Sequence, residues 1–285
     1  MGSVDSWVGY WARLRPARAA VATNARAVTW KSLNERSGRL ATGLAAAGAL
    51  GGSRIGVLSR DPVLVIEVIA ACARLGTVAA PLNPAGDPDR LRGQVAGTDL
   101  FALLSEVDEI GLDETRTEPE TGMDEPLLLL DGAVLTHGNV EAVAVAVMAA
   151  DGLVPPDCVG ITLSAAAEPA GIAAALGALH AGALTRFGDI EGLLGGEDRP
   201  RPTVLVTTYA ELERPGVIER VDAAGPRLVK VPGPVPRALR RDWGTRATPF
   251  VEMLGLSLQG SPYLESDDLV PLLGLADLAI LGRQA

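Results

Sequence analysis

Cysteine and histidine are scarce in this chain of 285 residues, which contains two of each. Cys72 and Cys158 lie far apart in apolar segments, which indicates buried free thiols in a reducing cytoplasm rather than a disulfide framework. The histidines, His137 and His180, are equally far from any second ligand in sequence. With so few nitrogen and sulfur ligands no metal cluster has a credible spacing, so we expect no metal site.

Long apolar runs are also missing. No segment approaches the roughly 18 apolar residues that a membrane-spanning helix requires. The first residues, Met-Gly-Ser-Val-Asp-Ser, lack the basic and apolar regions of a secretion signal. A Gly-x-Ser-x-Gly elbow is absent too, which removes the usual nucleophile signature of a hydrolase. These absences predict a cytoplasmic protein without a membrane partner.

Positive charge is in deficit, because 25 basic residues face 35 acidic ones and give a net charge of −10. Nucleic-acid binding depends on Lys and Arg at phosphates, so the balance argues against a nucleic-acid partner. Nine acidic residues and a single arginine, Arg116, fall within Ser105–Glu125. With few apolar residues, this segment is typical of a solvated linker. A docking site for a basic protein partner is the alternative.

What the sequence does contain is a repeated alternation of helix and strand. A helix begun by Thr29 precedes strands at 55–58 and 78–82, with a helix at about 63–75 between them. The same order follows from Thr136, with strands at 159–163 and 183–185, and a third set extends to 253. Such alternation favours parallel βαβ units. We therefore predict an α/β fold of two stacked αβα lobes, residues 1–104 and 126–285, joined by an acidic linker at 105–125.

Five segments, in order along the chain, resemble motifs of one family. The most specific is Ala70–Pro84, which is similar to the pattern A-x-x-K-A-G-A-V-x-V-P-L-N-P. The others are Val28–Asn34, Arg54–Leu58, Val231–Pro236 and Phe250–Leu258. These motifs are those of the adenylate-forming enzymes, which include acyl-CoA synthetases, luciferases and peptide-synthetase adenylation domains. The resemblance covers roughly residues 15 to 262 and implies the N-terminal domain of that family, without its C-terminal domain.

The family's phosphate-binding loop has no counterpart here. In the family, a strand runs into T-S-G-[ST]-T-G-x-P-K-G before T-H-x-N. In this chain Gly132–Asn139 matches only the tail of that pattern. We read the segment as a strand at Leu127–Leu130, a tight turn at Asp131-Gly132, and a helix that begins at Thr136.

Other catalytic residues that the resemblance implies are replaced in this chain. The magnesium-binding Glu of the motif Y-G-x-T-E falls on Leu258, and its Tyr and Thr fall on Leu254 and Ser257. No lysine follows Lys230, where the family has a catalytic lysine on its C-terminal domain. The resemblance thus implies a truncated and degenerate member that does not adenylate by itself, and we expect no cofactor.

The acyl pocket of the family is the part whose positions remain. The resemblance implies these ligand-binding positions: Thr207, Thr208, Tyr209, Pro232, Gly233, Met253, Leu254 and Gly255. Candidates for acid–base or orienting roles are His137, Glu168, Thr208, Tyr209 and Glu252. We expect His137 at the surface or in a cleft, and we read Gly192–Gly196 as a loop. The alternative is that the pocket residues only pack the core.

Three functions stay open on this evidence. One is a repurposed site that binds or transforms an acyl or aromatic metabolite, free or carrier-bound, without ATP. Another is a non-catalytic pseudoenzyme that binds a protein partner. The last is a residual AMP-forming acid–CoA ligase completed by another chain.

Overall fold

The computed structural model describes residues 2–84, 99–105, 122–130, 132–166, 168–195, 199–232 and 250–253, with isolated positions between 89 and 95. Within these ranges the chain forms two compact units. The first contains the N-terminal helix and the described part of residues 28–142. The second contains residues 20–27 and the described residues from 143 to 253.

Helices and strands alternate along the chain as follows: α1 (Val4–Leu14), β1 (Ala19–Ala22), β2 (Ala27–Thr29), α2 (Trp30–Ala46), β3 (Arg54–Leu58), α3 (Pro62–Leu75), β4 (Val78–Leu82), β5 (Ala102–Leu104), β6 (Pro126–Leu130), β7 (Ala133–Thr136), α4 (His137–Asp151), β8 (Cys158–Thr162), α5 (Leu163–Ala166), α6 (Pro169–Ala181), β9 (Leu184–Gly188), α7 (Ile190–Leu194), β10 (Val204–Val206), α8 (Tyr209–Leu212), α9 (Val217–Ala224), β11 (Leu228–Pro232) and β12 (Phe250–Met253). The predicted α/β fold with mainly parallel sheets is confirmed.

The sheet of the first unit has the order β5-β3-β4-β6-β7 among the described strands. Its pairs are parallel except for the antiparallel hairpin of β6 and β7. Helix α3 packs on this sheet, and its terminal residues explain where it begins and ends. Asp61 accepts a hydrogen bond from the Val63 amide at 3.0 Å, Pro62 occupies the first turn, and Gly76 ends the helix at φ 72°.

A charged contact joins α2 to α3 in the first unit. Arg36 donates two hydrogen bonds, of 2.6 and 3.0 Å, to the carboxylate of Glu67, whose side chain is 3% exposed. Since an isolated buried carboxylate is costly, this bidentate arginine accounts for an acid on the buried face of α3.

The sheet of the second unit has the order β12-β11-β10-β8-β9-β1-β2 among the described strands. Strand β8 lies between β9 and β10, parallel to both, and all five of its residues are buried. Helix α6 is buried along nearly its whole length, as expected for a helix that is apolar all round. The core beneath α7 and α9 contains Leu205 and Val229 among its buried residues.

The turn-to-helix interpretation of residues 131–139 was wrong in one respect. Residues Ala133–Thr136 form strand β7, which pairs with β6 before helix α4 begins at His137. The helix cap itself was predicted correctly, because Thr136 Oγ1 accepts from the Asn139 amide at 3.1 Å. The added strand follows from pairing with β6, which the local sequence does not reveal.

The unit boundary also differs from the predicted lobes of 1–104 and 126–285. Strands β6 and β7 belong to the first sheet, because β6 pairs with β4 in the register Ala79↔Leu128. The first unit therefore extends to Ala142. Strand β1 pairs with β9 instead, so residues 20–27 belong to the second unit.

The loop predicted at Gly192–Gly196 is partly helical. Helix α7 covers Ile190–Leu194, and Asp189 begins it by accepting a hydrogen bond from the Gly192 amide at 2.6 Å. The aspartate at the cap position outweighs the low helix propensity of Gly192. Most of the acidic segment (106–121), residues 233–249 and residues 254–285 lie outside the described residues.

Both cysteines are free and buried, as predicted. Burial raises the pKa of the Cys72 thiol and of the Cys158 thiol to about 12, which suits packing residues rather than nucleophiles. Across the described part of the chain, every helix is too short or too polar to span a membrane.

Candidate functional site

The order of strands changes direction in the middle of the seven-stranded sheet. The chain passes from β8 to β9 on one side, and then crosses to β10 on the other side of β8. Strands β8 and β10 are parallel neighbours in the register Val159↔Val204, so their carboxyl ends meet at one edge. Such a switch point leaves a crevice outside the carboxyl ends of the strands, the usual ligand position in open α/β sheets.

Five polar side chains meet at this edge, and we call them the hydroxyl–carboxylate cluster: Thr162, Ser164, Thr207, Thr208 and Glu211. The carboxylate of Glu211 is their centre. Ser164 donates to its Oε1 at 2.5 Å, and Thr207 donates to its Oε2 at 3.2 Å. Ser164 Oγ also contacts Thr162 Oγ1 at 3.1 Å and Thr208 Oγ1 at 3.3 Å. Residues from two strand ends and two short helices are thus joined in one hydrogen-bonded group.

The cluster is buried on its sheet side and open on the other. Thr162 and Thr207 are fully buried at the ends of their strands, whereas Thr208 and Glu211 are half-buried and Ser164 is exposed. Leu163, the residue that precedes Ser164, leaves 47% of its surface exposed. The edge therefore presents a polar group beside an apolar side chain, as small-molecule sites commonly do.

The structure places five of the predicted ligand-binding residues at this same edge. Thr207, Thr208 and Tyr209 follow β10, Pro232 ends β11, and Met253 ends β12. Strands β10, β11 and β12 are parallel neighbours, so their carboxyl ends share one side of the sheet. The other predicted positions, Gly233, Leu254 and Gly255, lie outside the described residues.

The acid–base candidates are not all part of the cluster. Tyr209 donates its phenolic proton to Glu213, which raises the pKa of Tyr209, and it packs against the core of the second unit. Glu168 is exposed at the start of helix α6. Glu252 stands in β12 opposite Val231, in the strand that ends with Met253.

His137 was expected at the surface or in a cleft, and this was wrong. The side chain is 1% exposed, and neither ring nitrogen has a hydrogen-bond partner among the described residues. It begins helix α4 within the first unit, where its backbone N–H donates to the Glu125 carbonyl at 3.0 Å. Helix α4 turns its first residue inward because β7 pairs with β6. Burial lowers the pKa of the imidazole, against a smaller opposing effect of the Glu125 carboxylate.

Stability should consequently fall as the pH falls through the histidine range. The folded state holds His137 neutral, whereas the unfolded chain takes up a proton near its ordinary pKa of about 6.5. The stability that neutral His137 provides is fully present above the unfolded pKa and is lost as the pH falls towards the lowered folded pKa. Over that range the free energy of unfolding falls by at most about 1.4 kcal/mol per pH unit. Urea unfolding at pH 8 and pH 5.5 measures it. The variant His137→Gln should show a smaller pH dependence, and an unchanged dependence would contradict the assignment.

The hairpin of β6 and β7 is short. Leu130 pairs with Ala133, so two residues connect the strands, and Gly132 takes a left-handed conformation at φ 85°. Beyond the hairpin, the Thr136 amide donates to Asn139 Oδ1 at 3.0 Å, in return for the Asn139 amide bond to Thr136. The segment is therefore a two-residue connection, then the short strand β7, and then the capped helix α4.

Comparison with known proteins finds similarity to one superfamily. Residues 9–135 match the family model described as AMP-binding enzyme. Feruloyl-CoA synthase from Amycolatopsis sp. is 28% identical over 295 residues, which cover 89% of this chain and 59% of that protein. The chain is therefore similar to members of the adenylate-forming superfamily. It spans about three-fifths of the length of that relative. A fatty acid–[acyl-carrier-protein] ligase, ScoC of Streptomyces coeruleorubidus, is 34% identical over 74 residues, 26% of this chain and 14% of that protein.

Solved structures of the superfamily share the fold. Unliganded O-succinylbenzoate coenzyme A synthetase from Bacillus subtilis superposes with a TM-score of 0.78 at 20% identity, over 88% of this chain and 59% of that chain. The N-terminal domain of FACL13 from Mycobacterium tuberculosis gives a TM-score of 0.76 at 17% identity, over 95% of this chain and 81% of that chain. The fold of this chain is therefore that of the N-terminal domain of an acyl-CoA synthetase.

Three cluster residues were not predicted from the sequence: Thr162, Ser164 and Glu211. Thr162 and Ser164 lie at the end of the strand predicted at 159–163, which is a local signal that the sequence offered, whereas Glu211 follows β10. Only the pairing of β8 with β10 makes those two strand ends neighbours. No three His, Cys, Asp or Glu side chains of the described residues are grouped so that they could hold a metal ion.

Proposed function

We propose that this chain is an adenylate-forming superfamily member that binds an acyl or aryl metabolite, free or carrier-bound, at the carboxyl edge of its seven-stranded sheet, and that it does so without ATP. The observation that carries the proposal is the hydroxyl–carboxylate cluster, which lies at the strand-order switch point. Polar side chains from the ends of the neighbouring strands β8 and β10, and from the short helices α5 and α8 that follow them, can orient a ligand, and the exposed Leu163 can cover its apolar part.

The β6–β7 hairpin supports the part of the proposal that concerns ATP. Phosphate groups are held by successive backbone N–H groups of a glycine-rich loop or by a helix N-terminus. Two residues between Leu130 and Ala133 are too few to form such a loop. At the position of the magnesium-binding glutamate the sequence has Leu258, which cannot coordinate a cation. These residues do not fit a magnesium–triphosphate group.

Neutral amides test the binding site directly. We expect phenylacetamide or hexanamide to bind the full chain in isothermal titration calorimetry, while magnesium–ATP gives no binding heat. Leu163→Asp places a charge against the apolar part of the ligand and should weaken amide binding at least about tenfold, the effect of about 1.4 kcal/mol.

The matched control is Val154→Asp. Val154 is 49% exposed, close to the 47% of Leu163, but it precedes β8 and so lies beyond the opposite end of that strand. Val154→Asp should bind the amides as the native chain does. Equal affinity in Leu163→Asp and the native chain would refute the location of the site. Pyrophosphate exchange with ATP and phenylacetate would instead support a residual ligase. Absence of binding for every probe would leave the protein-binding pseudoenzyme as the better hypothesis.

A further inference from the structure

The numbers of hydrogen-bond donors and acceptors in the hydroxyl–carboxylate cluster restrict which ligands can bind to it. Each hydroxyl supplies one proton and two acceptor lone pairs, and a carboxylate can only accept. The cluster has four hydroxyls, on Thr162, Ser164, Thr207 and Thr208, and the carboxylate of Glu211. Four protons are therefore available to make the four contacts that join these side chains.

All four protons are used within the cluster. Ser164 must donate to Glu211 Oε1 and Thr207 must donate to Glu211 Oε2, because the carboxylate has no proton to give. Since the Ser164 proton is committed, the two remaining contacts require Thr162 and Thr208 to donate to Ser164 Oγ. Ser164 then has one donated and two accepted hydrogen bonds, which is its full capacity.

What remains on the open side is acceptor capacity. Thr208 and Glu211 are half-buried and retain free lone pairs, while Thr162 and Thr207 are fully buried. The group also carries the negative charge of Glu211, and no Lys or Arg is among its hydrogen-bond partners in the described residues. An anion at this edge would meet lone pairs and a like charge, whereas a donor would complete the free acceptors.

We infer that the ligand presents a hydrogen-bond donor, best an ammonium group, to Glu211 and Thr208. The inference rests on the proposed function, and it narrows the ligand class to amine-bearing or amide-linked acyl and aryl compounds. A free carboxylate or phosphate is disfavoured at this point. Leu163 faces the apolar remainder of the same ligand.

Matched ligands of one skeleton separate the possibilities. We expect phenethylamine to bind the full chain about tenfold more tightly than phenylacetamide, because a hydrogen bond between two charged groups is stronger than one to a neutral amide. Phenylacetate should bind more weakly than the amide, because it brings a second negative charge to Glu211. Hexylamine, hexanamide and hexanoate repeat the comparison without an aromatic ring. Calorimetry at low and high salt should show that added salt weakens the binding of the amines and not that of the other ligands.

Glu211→Gln keeps the shape of the side chain and removes its charge. The variant should bind the amine less than about threefold more tightly than the amide, and its affinity for phenylacetate should rise. The control Glu219→Gln, on the exposed face of α9, should leave the preference unchanged. If Glu211→Gln does not fold, the ranking and salt dependence in the native chain decide the question.

The outcomes distinguish this inference from the proposed function. Binding of the amides with equal or tighter binding of phenylacetate, or a preference that survives in Glu211→Gln, overturns the donor requirement and leaves the binding site standing. Absence of binding by every member of both series overturns the proposed function as well.

Discussion

Replacing Lys230 with methionine should destabilise the protein by about 3–5 kcal/mol. Lys230 Nζ lies 2.9 and 2.7 Å from the two carboxylate oxygens of Asp151, and both side chains are 6% exposed. The pair joins β11 to the last residue of helix α4. Removal of the ammonium leaves a buried carboxylate without its cation, which is far more costly than the loss of one surface contact. The free energy of unfolding from urea titration is the measurement.

Two controls separate this effect from the loss of a lysine as such. Lys31, the other lysine of the chain, lies 3.8 Å from Glu35, and its side chain is 68% exposed. Lys31→Met should cost at most about 0.5 kcal/mol. The double variant Lys230→Met, Asp151→Leu should recover most of the lost stability, because it buries no unpaired charge. A change below about 1 kcal/mol in Lys230→Met alone would show that the pair is not buried as described.

Substitution of Gly171 by alanine should also destabilise the protein strongly. A Cβ at this position would lie 2.0 Å from the carbonyl oxygen of Ala165 and 2.9 Å from Cα of Ala166. These are backbone atoms of helix α5, which cannot turn aside as a flexible side chain could. Helices α5 and α6 must therefore separate, and we expect a loss of about 1–3 kcal/mol or more.

The same substitution should reach the candidate site, because α5 carries Leu163 and Ser164. Affinity for phenylacetamide should fall together with stability. Gly9→Ala is the matched control, since its Cβ would meet Arg13 Nη1 at 3.6 Å, an ordinary contact, in the middle of helix α1. That change should be neutral or stabilising by about 0.5–1 kcal/mol. Native stability in Gly171→Ala would contradict the close approach of α5 and α6.

Elements with strong local signals were predicted closely from the sequence. The strand predicted at 78–82 is β4 itself, and the helix predicted at about 63–75 is α3, with Asp61, Pro62 and Gly76 at its ends. Strands β1, β2, β5 and β7 were missed. They contain three or four residues each, too few for a period to be recognised, and they are strands only because a neighbour pairs with them.

The residues of the candidate site also fall into those that the sequence predicted and those that it did not. Resemblance to the family predicted Thr207, Thr208 and Tyr209 as ligand-binding positions, and the structure places all three just after β10. Glu211 and Ser164 could not be predicted as partners, because 46 residues separate them. Their contact depends on β10 returning to the far side of β8. His137 was misjudged for a related reason, since its burial depends on the hairpin that precedes it.

The sequence by itself determined the resemblance to a family, the α/β class and the limits of helices such as α3, because these depend on local patterns and caps. The tertiary structure alone decided which unit each short strand joins and which polar side chains meet at the sheet edge. The physical reason is that hydrogen bonds between strands, and between side chains at strand ends, join residues far apart in the chain. No local pattern contains that pairing.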